Sequence, residues 1–166
     1  MGDPLSVRAV YERDLSRIAE LEDLVFGPTG FSVSTLMQLF GPSGVTWLVA
    51  EDEEGIWGYS LSVRALDDPE VGWILALAVH PDHRGRHIGL RLLDESILKL
   101  QSKGISTIKL TVIPENTMAA YAMYRRVGFQ DTGQWKDDFG DGRSHKILTL
   151  LLPPCDRQPP QTGTRP

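Results

Sequence analysis

The apolar segment Val71–Val79 is interrupted only by Gly72, and a basic, glycine-containing segment follows it. Nearly continuous apolar segments of this length are typical of central strands that are covered on both faces. After the basic segment, apolar residues recur at helical spacing up to Gly104. These residues are Leu90, Leu93, Ile97 and Leu100. A strand with Ile108, Leu110 and Val112 comes next. The sequence therefore predicts a strand, helix and strand whose right-handed crossover makes the two strands parallel.

Shorter patterns on both sides extend this unit to an α/β domain over residues 1–152. Helical spacing predicts helices over Asp14–Phe26, Val33–Phe40 and Asn116–Val127. Strands are predicted over Leu5–Val10, Thr46–Ala50, Phe129–Trp135 and Ser144–Leu152. In Trp57–Val63 apolar residues alternate with glycine and serine, so we expect a half-buried strand in a hairpin with the strand before it. Residues 153–166 are rich in proline and have no apolar period, which predicts a disordered tail.

Charge and hydropathy exclude several classes of function. The net charge of −5 disfavours nucleic-acid binding, which usually requires a basic surface. No apolar stretch approaches the roughly 20 residues that span a bilayer, and the N-terminus lacks the pattern of a secretory signal. We therefore expect a cytoplasmic protein with no membrane partner. Cys155 is the single cysteine and cannot form an internal disulfide. The sequence does not decide between a monomer and a homodimer.

The segment Arg84-Gly-Arg-His-Ile-Gly89 connects a buried strand to a helix. Backbone N–H groups at the start of a helix have no intrahelical partners and attract anions, so a pyrophosphate is a natural ligand here. The glycines do not have the spacing of a P-loop or of a dinucleotide-binding loop. Two alternatives remain at this point: a solvated basic turn, or a metal site formed by His80, His83 and His87.

Two motifs resemble the GNAT superfamily of N-acetyltransferases. The segment from Leu75 to Leu93 resembles the acetyl-CoA motif of that family, Gln/Arg-x-x-Gly-x-Gly/Ala. The segment from Asn116 to Phe129 resembles its second motif, which has an asparagine, a helix with alanine, and Tyr-x-x-x-Gly-Phe. The resemblance covers residues 5–152. It implies a GNAT fold, with a twisted, mostly antiparallel mixed sheet of about six to seven strands, flanked by helices and splayed at its centre to admit acetyl-CoA.

The resemblance also implies a function: direct transfer of the acetyl group of acetyl-CoA to a primary amine, with no metal. The residues implied to bind the cofactor are Leu77, Ala78 and Val79 along the pantetheine arm, Arg84, Gly85, Arg86, His87, Ile88 and Gly89 at the pyrophosphate, and Asn116. A tyrosine within reach of the departing sulfur can supply its proton, and Tyr124 is the candidate acid. Tyr121 is the alternative on nearly the same helical face.

The chain departs from the family pattern at three positions. His87 replaces the first glycine of the loop, the interval from Asn116 to Tyr124 is one residue longer than usual, and Thr111 stands where N-terminal acetyltransferases commonly have glutamate. The motifs therefore do not identify the general base, and Glu70, His145 and a water relay are its candidates. A non-catalytic acyl-CoA sensor is the alternative function, since a cofactor loop can persist without a working acid and base.

Overall fold

The computed structural model, which describes residues 5–41, 45–113, 117–135 and 144–153, contains one sheet of seven strands. The strands are β1 Ser6–Ala9, β2 Val45–Asp52, β3 Gly55–Arg64, β4 Val71–Val79, β5 Thr107–Val112, β6 Gln130–Trp135 and β7 His145–Leu151. The described helices are α1 Leu15–Phe26, α2 Val33–Phe40, α3 Ile88–Ser102 and α4 Met118–Val127. The strand order β1-β2-β3-β4-β5-β7-β6 has antiparallel neighbours except for the parallel pair β4 and β5. The predicted mixed sheet and its parallel unit are confirmed.

Helices cover both faces of the sheet. Leu21 of α1 and Leu36 of α2 pack in one core with Val49 and Tyr59 of the strands. On the opposite face, α3 contributes Ile88 and Leu92 to a core with the alternate β2 residues Leu48 and Ala50. The third core joins α3 and α4 to β5. Its buried members include Leu93, Leu100, Ile108, Leu110, Val112 and Tyr124. Both helix layers meet β4, so this strand lies at the centre of the molecule.

Strand β3 is buried on both faces, whereas the sequence predicted a half-buried strand. Ser60 and Ser62 are fully buried, because α3 lies directly on their side of the sheet. The Ser60 hydroxyl lies 2.7 Å from the Ser96 hydroxyl of α3, which satisfies the polar group inside the core. At Gly58 a Cβ atom would lie 2.8 Å from the Ala78 carbonyl oxygen and 3.0 Å from Leu92. The small residues of β3 thus form the surface against which α3 packs closely. The alternation of apolar and small residues therefore led to the wrong prediction that the face with glycine and serine is exposed.

A buried carboxylate fixes the connection between α1 and α2. Glu22 of α1 is 2% exposed and accepts hydrogen bonds from the Tyr59 hydroxyl and the Phe31 backbone amide. Gly30 packs so closely that a Cβ atom there would lie 2.8 Å from the Glu22 carbonyl oxygen. Burial raises the pKa of Glu22 above its ordinary value of 4.5, and the two hydrogen bonds only partly offset this effect. One side chain therefore ties α1, β3 and the α1–α2 connection together.

Some predictions lie outside the described residues. These are Asn116 and the tail 153–166 apart from Pro153. Helix α4 begins at Met118, two residues after the predicted start at Asn116. Among the helices that are described, none has the length and apolarity needed to cross a membrane.

Candidate active site

The two parallel strands at the centre of the sheet separate along their length. The register pairs Val71–Ile74 of β4 with Thr107–Leu110 of β5, and the described pairing ends there. Beyond Ile74, the edge of β4 that faces β5 has no strand partner among the described residues. Because backbone N–H and C=O groups need hydrogen-bond partners, such an edge can receive an extended ligand.

A β-bulge lies where the strands separate. Leu61 of β3 pairs with Ala76 and Ser62 pairs with Ile74, so Leu75 has no partner in this ladder. Ile74 consequently packs in the α3–α4 core, whereas Ala76 packs in the α1–α2 core, although residues two apart normally share a face. Leu75 itself is 42% exposed, which corrects the expectation that β4 is covered throughout. The bulge reorients the second half of β4 at the centre of the cleft.

The backbone groups of Leu77 and Val79 point into this cleft. The His80 amide donates to the Trp57 carbonyl at 2.7 Å, and Gly58 and Val79 form the next pair of the antiparallel ladder. Hydrogen-bonded and non-hydrogen-bonded pairs alternate in such a ladder, so Val79 and Leu77 direct their N–H and C=O groups away from β3. Ala78 belongs to a hydrogen-bonded pair and turns its side chain into the α1–α2 core. Two of the three predicted β4 residues thus present their backbone to the cleft.

Helix α3 begins beside this strand edge. His87 is its N-cap residue, and the first intrahelical bond runs from the Arg91 amide to the His87 carbonyl at 3.0 Å. The amides of Ile88, Gly89 and Leu90 therefore lack intrahelical acceptors. The residues of the preceding loop, 84–87, are all exposed. Free amides, the positive end of the helix dipole and two nearby guanidinium groups together suit a phosphate ligand.

Gly89 marks the point where the elements of the site meet. A Cβ atom at Gly89 would contact Met123 of α4 at 3.5 Å, Val79 at 3.5 Å and Leu77 at 3.6 Å. The start of α3, the open edge of β4 and helix α4 are therefore in mutual contact. The predicted residues Leu77, Val79 and Gly89 therefore lie beside Met123 of the second motif in the folded chain.

His87 adopts a conformation that normally requires glycine. Its φ is 61° and its ψ is 14°, and among the described residues no other non-glycine residue has a positive φ. A left-handed backbone costs an L-residue about 1 kcal/mol. We therefore expect His87→Gly to raise the Tm by about 2–4 °C in thermal unfolding, whereas His87→Ala retains the Cβ atom and leaves it nearly unchanged. Equal melting temperatures for all three proteins would contradict this prediction.

Tyr124 of α4 is buried in the core between α3, α4 and the central strands. It is 6% exposed and belongs to the core that contains Ile74 of β4 and Leu110 of β5. Its ring contacts Phe129 edge-on, with centroids 5.7 Å apart. Burial raises the pKa of Tyr124 to about 12, so the hydroxyl keeps its proton throughout the neutral range. Among the described residues this hydroxyl has no hydrogen-bond partner, whereas the ring of Tyr121 faces the Lys146 ammonium at 5.9 Å.

The candidate bases lie at opposite ends of the sheet. Glu70 precedes β4, and its carbonyl accepts from the amides of Ser106 and Thr107 where β4 and β5 are paired. Seven residues of extended strand place Glu70 about 23 Å from Leu77, at the end where the two strands are paired. His145 lies at the other end, on the same sheet face as the exposed Thr111, because Thr111 pairs with Ile147 two residues away.

The face that carries Thr111 and His145 is the one on which α1 and α2 pack farther along the sheet. Trp73 and Lys109 also lie on it, with the Lys109 ammonium 5.8 Å from the indole centroid. No described helix covers this half of the face. Within the described residues, the side of the cleft opposite α3 and α4 is therefore the uncovered one.

The metal alternative for the three histidines has no support in the described residues. His80 and His83 contact each other edge-on at 5.3 Å, and both rings pack on Trp57. His87 is on the far side of the loop at the start of α3. Among the residues described, no group of three or more His, Cys, Asp or Glu side chains is arranged to hold a metal ion.

Comparison with known proteins identifies the family of this chain. The model of the acetyltransferase (GNAT) family matches residues 12–129. The chain belongs to this family. Mycothiol acetyltransferase from Propionibacterium freudenreichii is 37% identical over 92 residues, which are 54% of this chain and 28% of that protein. A ribosomal protein bS18-alanine N-acetyltransferase from Haemophilus ducreyi is 28% identical over 148 residues, 88% of this chain and 98% of that protein.

A solved structure also shares the GNAT fold. The Salmonella typhimurium protein yncA, solved with its cofactor acetyl-CoA, superposes with a TM-score of 0.73 at 21% identity, covering 95% of this chain and 98% of that one. The chain spans only 28–36% of the length of the first curated relatives that it matches. The fold predicted from the resemblance is thereby confirmed for this GNAT chain.

Some features of this GNAT site had no signal in the sequence. A β-bulge has no residue signature within an apolar strand, so the position of Leu75 could not be foreseen. The pairing of Glu22 with Tyr59 joins residues that are 37 positions apart. Trp57 lies in an alternating strand pattern that gave no hint of its contact with His83.

Proposed function

We propose that this chain transfers the acetyl group of acetyl-CoA to the α-amine of a peptide or of a small molecule. The observation that carries the proposal is the open edge of β4 beyond Ile74, where Leu77 and Val79 lie beside the start of α3 at Gly89. Membership of the GNAT family supports the same reaction class. Bound acetyl-CoA supplies an acetyl group that is activated as a thioester.

The residues present fit this co-substrate. The backbone groups of Leu77 and Val79 are free to pair with the pantetheine amides, as in the addition of a strand. The amides of Ile88 and Gly89, with the charges of Arg84 and Arg86, suit the pyrophosphate. Gly85 has a φ of 77° and no atom within 4 Å of a Cβ position, which leaves space beside the loop. Asn116 stays a candidate from the sequence alone.

Proton transfer distinguishes the acceptor classes. An α-amine with a pKa near 8 costs about 1 kcal/mol to deprotonate at pH 7, whereas a lysine amine costs about 4–5 kcal/mol. Thr111 has no carboxylate that could act as a base on β5. An amine acceptor with a low pKa, which loses its proton easily, is therefore favoured. His145 or a water relay can then accept that proton at the open face. Tyr124, which stays protonated, is the group suited to protonate the departing sulfur.

Acetyl-CoA-dependent release of free thiol tests the proposal. We expect turnover with peptides that have a free N-terminus and with small α-amines. The matched control is the same peptide with a blocked N-terminus and one internal lysine, which should react at least about 100-fold more slowly because of its higher pKa. Faster reaction of the lysine peptide would overturn the acceptor class. Tight acetyl-CoA binding without turnover on any amine would favour the sensor instead.

A further inference from the structure

The Trp57 indole forms an aromatic platform under the segment that leads into the phosphate-binding loop, residues 84–89. The indole of Trp57, on β3, stacks on the His83 imidazole with ring centroids 3.7 Å apart and an interplanar angle of 10°. His80 contacts the same indole edge-on at 5.7 Å. His80 precedes and His83 ends a single 3₁₀ turn, Pro81–His83, that leads directly to Arg84. The stacked pair therefore lies immediately before the residues that we assign to the pyrophosphate.

The platform itself is fixed by polar contacts. The Trp57 Nε1–H donates to Asp52 Oδ1 at 2.7 Å, and the Arg17 guanidinium carbon lies 5.8 Å from the indole centroid. The hydrogen bond from Trp57 lowers the pKa of Asp52, with a smaller contribution from the charge of Arg86. Asp52 thus orients the indole and attracts an arginine of the loop.

The His83 ring is held by stacking. Its Nδ1 atom is buried and has no hydrogen-bond partner within the described part of the chain. The loop that follows has few tertiary contacts of its own: residues 84–87 are exposed, and the side chains of Arg84, Arg86 and His87 make no hydrogen bond to another described residue. The contact between His83 and Trp57 is thus the main side-chain restraint at the entrance of the loop.

We infer that Trp57 is a positioning residue for the phosphate-binding loop, and this inference rests on the proposed function. By holding His83, the indole fixes the path of Arg84 and Gly85 before the ligand arrives. Preorganised loops bind more tightly because less conformational entropy is lost on binding. Removing the platform should therefore weaken recognition of the phosphates and leave the pantetheine part of the ligand unaffected.

Calorimetry with CoA and kinetics with two acetyl donors test this inference. Trp57→Leu should raise the Kd for CoA by about 10-fold, because an aromatic stacking contact is lost. Trp57→Phe keeps a ring that can stack and should raise the Kd by only about 2–4-fold. With S-acetylpantetheine, which lacks the pyrophosphate, kcat/KM should be nearly the same in wild type and both variants. A general loss of structure would lower activity with both donors.

Tyr11→Leu serves as the matched control, since Tyr11 is an exposed ring that faces Arg8 and Arg13 at 4.9 and 4.6 Å and lies outside the site. Its affinity for CoA should equal that of wild type. Unchanged CoA affinity in Trp57→Leu would overturn the positioning role while leaving the proposed function intact, as would an equal loss with both acetyl donors. A wild-type chain that binds no CoA would overturn the proposed function as well.

Discussion

Replacing Tyr124 by phenylalanine should lower kcat for acetyl transfer by about 100-fold or more while the Kd for acetyl-CoA changes less than about twofold. The substitution keeps the buried ring that contacts Phe129 edge-on, and it deletes only the hydroxyl. The departing sulfur then has to take its proton from water. Steady-state kinetics with a saturating amine, together with calorimetry of CoA binding, measure the two effects separately.

The matched control for this variant is Tyr121→Phe. Tyr121 lies three residues earlier on α4, and its ring faces the Lys146 ammonium. We expect its kcat to stay near that of wild type. Because burial raises the pKa of Tyr124 to about 12, the wild-type rate should also show no loss from this group below about pH 11. Equal kcat values for Tyr124→Phe and wild type would rule out the acid role, and a selective effect of Tyr121→Phe would transfer it to that residue.

Replacing Glu22 by alanine should lower the free energy of unfolding by about 3 kcal/mol, because the Tyr59 hydroxyl and the Phe31 amide are left buried without a partner. For a domain of this size the Tm should fall by about 6–12 °C. Glu22→Gln should be at least as stable as wild type at pH 7. Its side-chain oxygen can accept from the Phe31 amide, while its NH₂ group donates to the Tyr59 hydroxyl. Urea unfolding of the three proteins measures these differences.

The pH dependence of stability provides an independent test of Glu22. Burial raises the pKa of this group in the folded state, so the folded chain holds the proton more tightly than the unfolded chain. This contribution to stability is fully present below about pH 4.5 and is lost as the pH rises through the folded pKa. The stability of wild type relative to Glu22→Gln should therefore decrease over that range and then level off. A difference that does not change with pH would show that folding does not raise the pKa of Glu22.

Much of the fold could be predicted because its signals are local. Apolar periodicity located α1, α2 and α3 to within two residues at each end, and the glycines after α3 and α4 marked where those helices stop. The parallel pairing of β4 and β5 followed from the handedness of a single crossover. Family membership was predicted from two motifs and is confirmed. The roles of Tyr124 and of the loop 84–89 stay predictions.

The sequence by itself determined the order of the elements, the unit of strand, loop and helix around Arg84–Gly89, and the resemblance to the GNAT family. Only the tertiary structure decided that β4 bulges at Leu75, that Glu70 lies at the closed end of the sheet, and that Trp57 stacks on His83. The physical reason is the range of the forces involved. Periodicity, turns and helix ends depend on residues within a few positions of one another, whereas strand separation, burial and ring stacking depend on residues that meet only when the sheet and its helices have assembled.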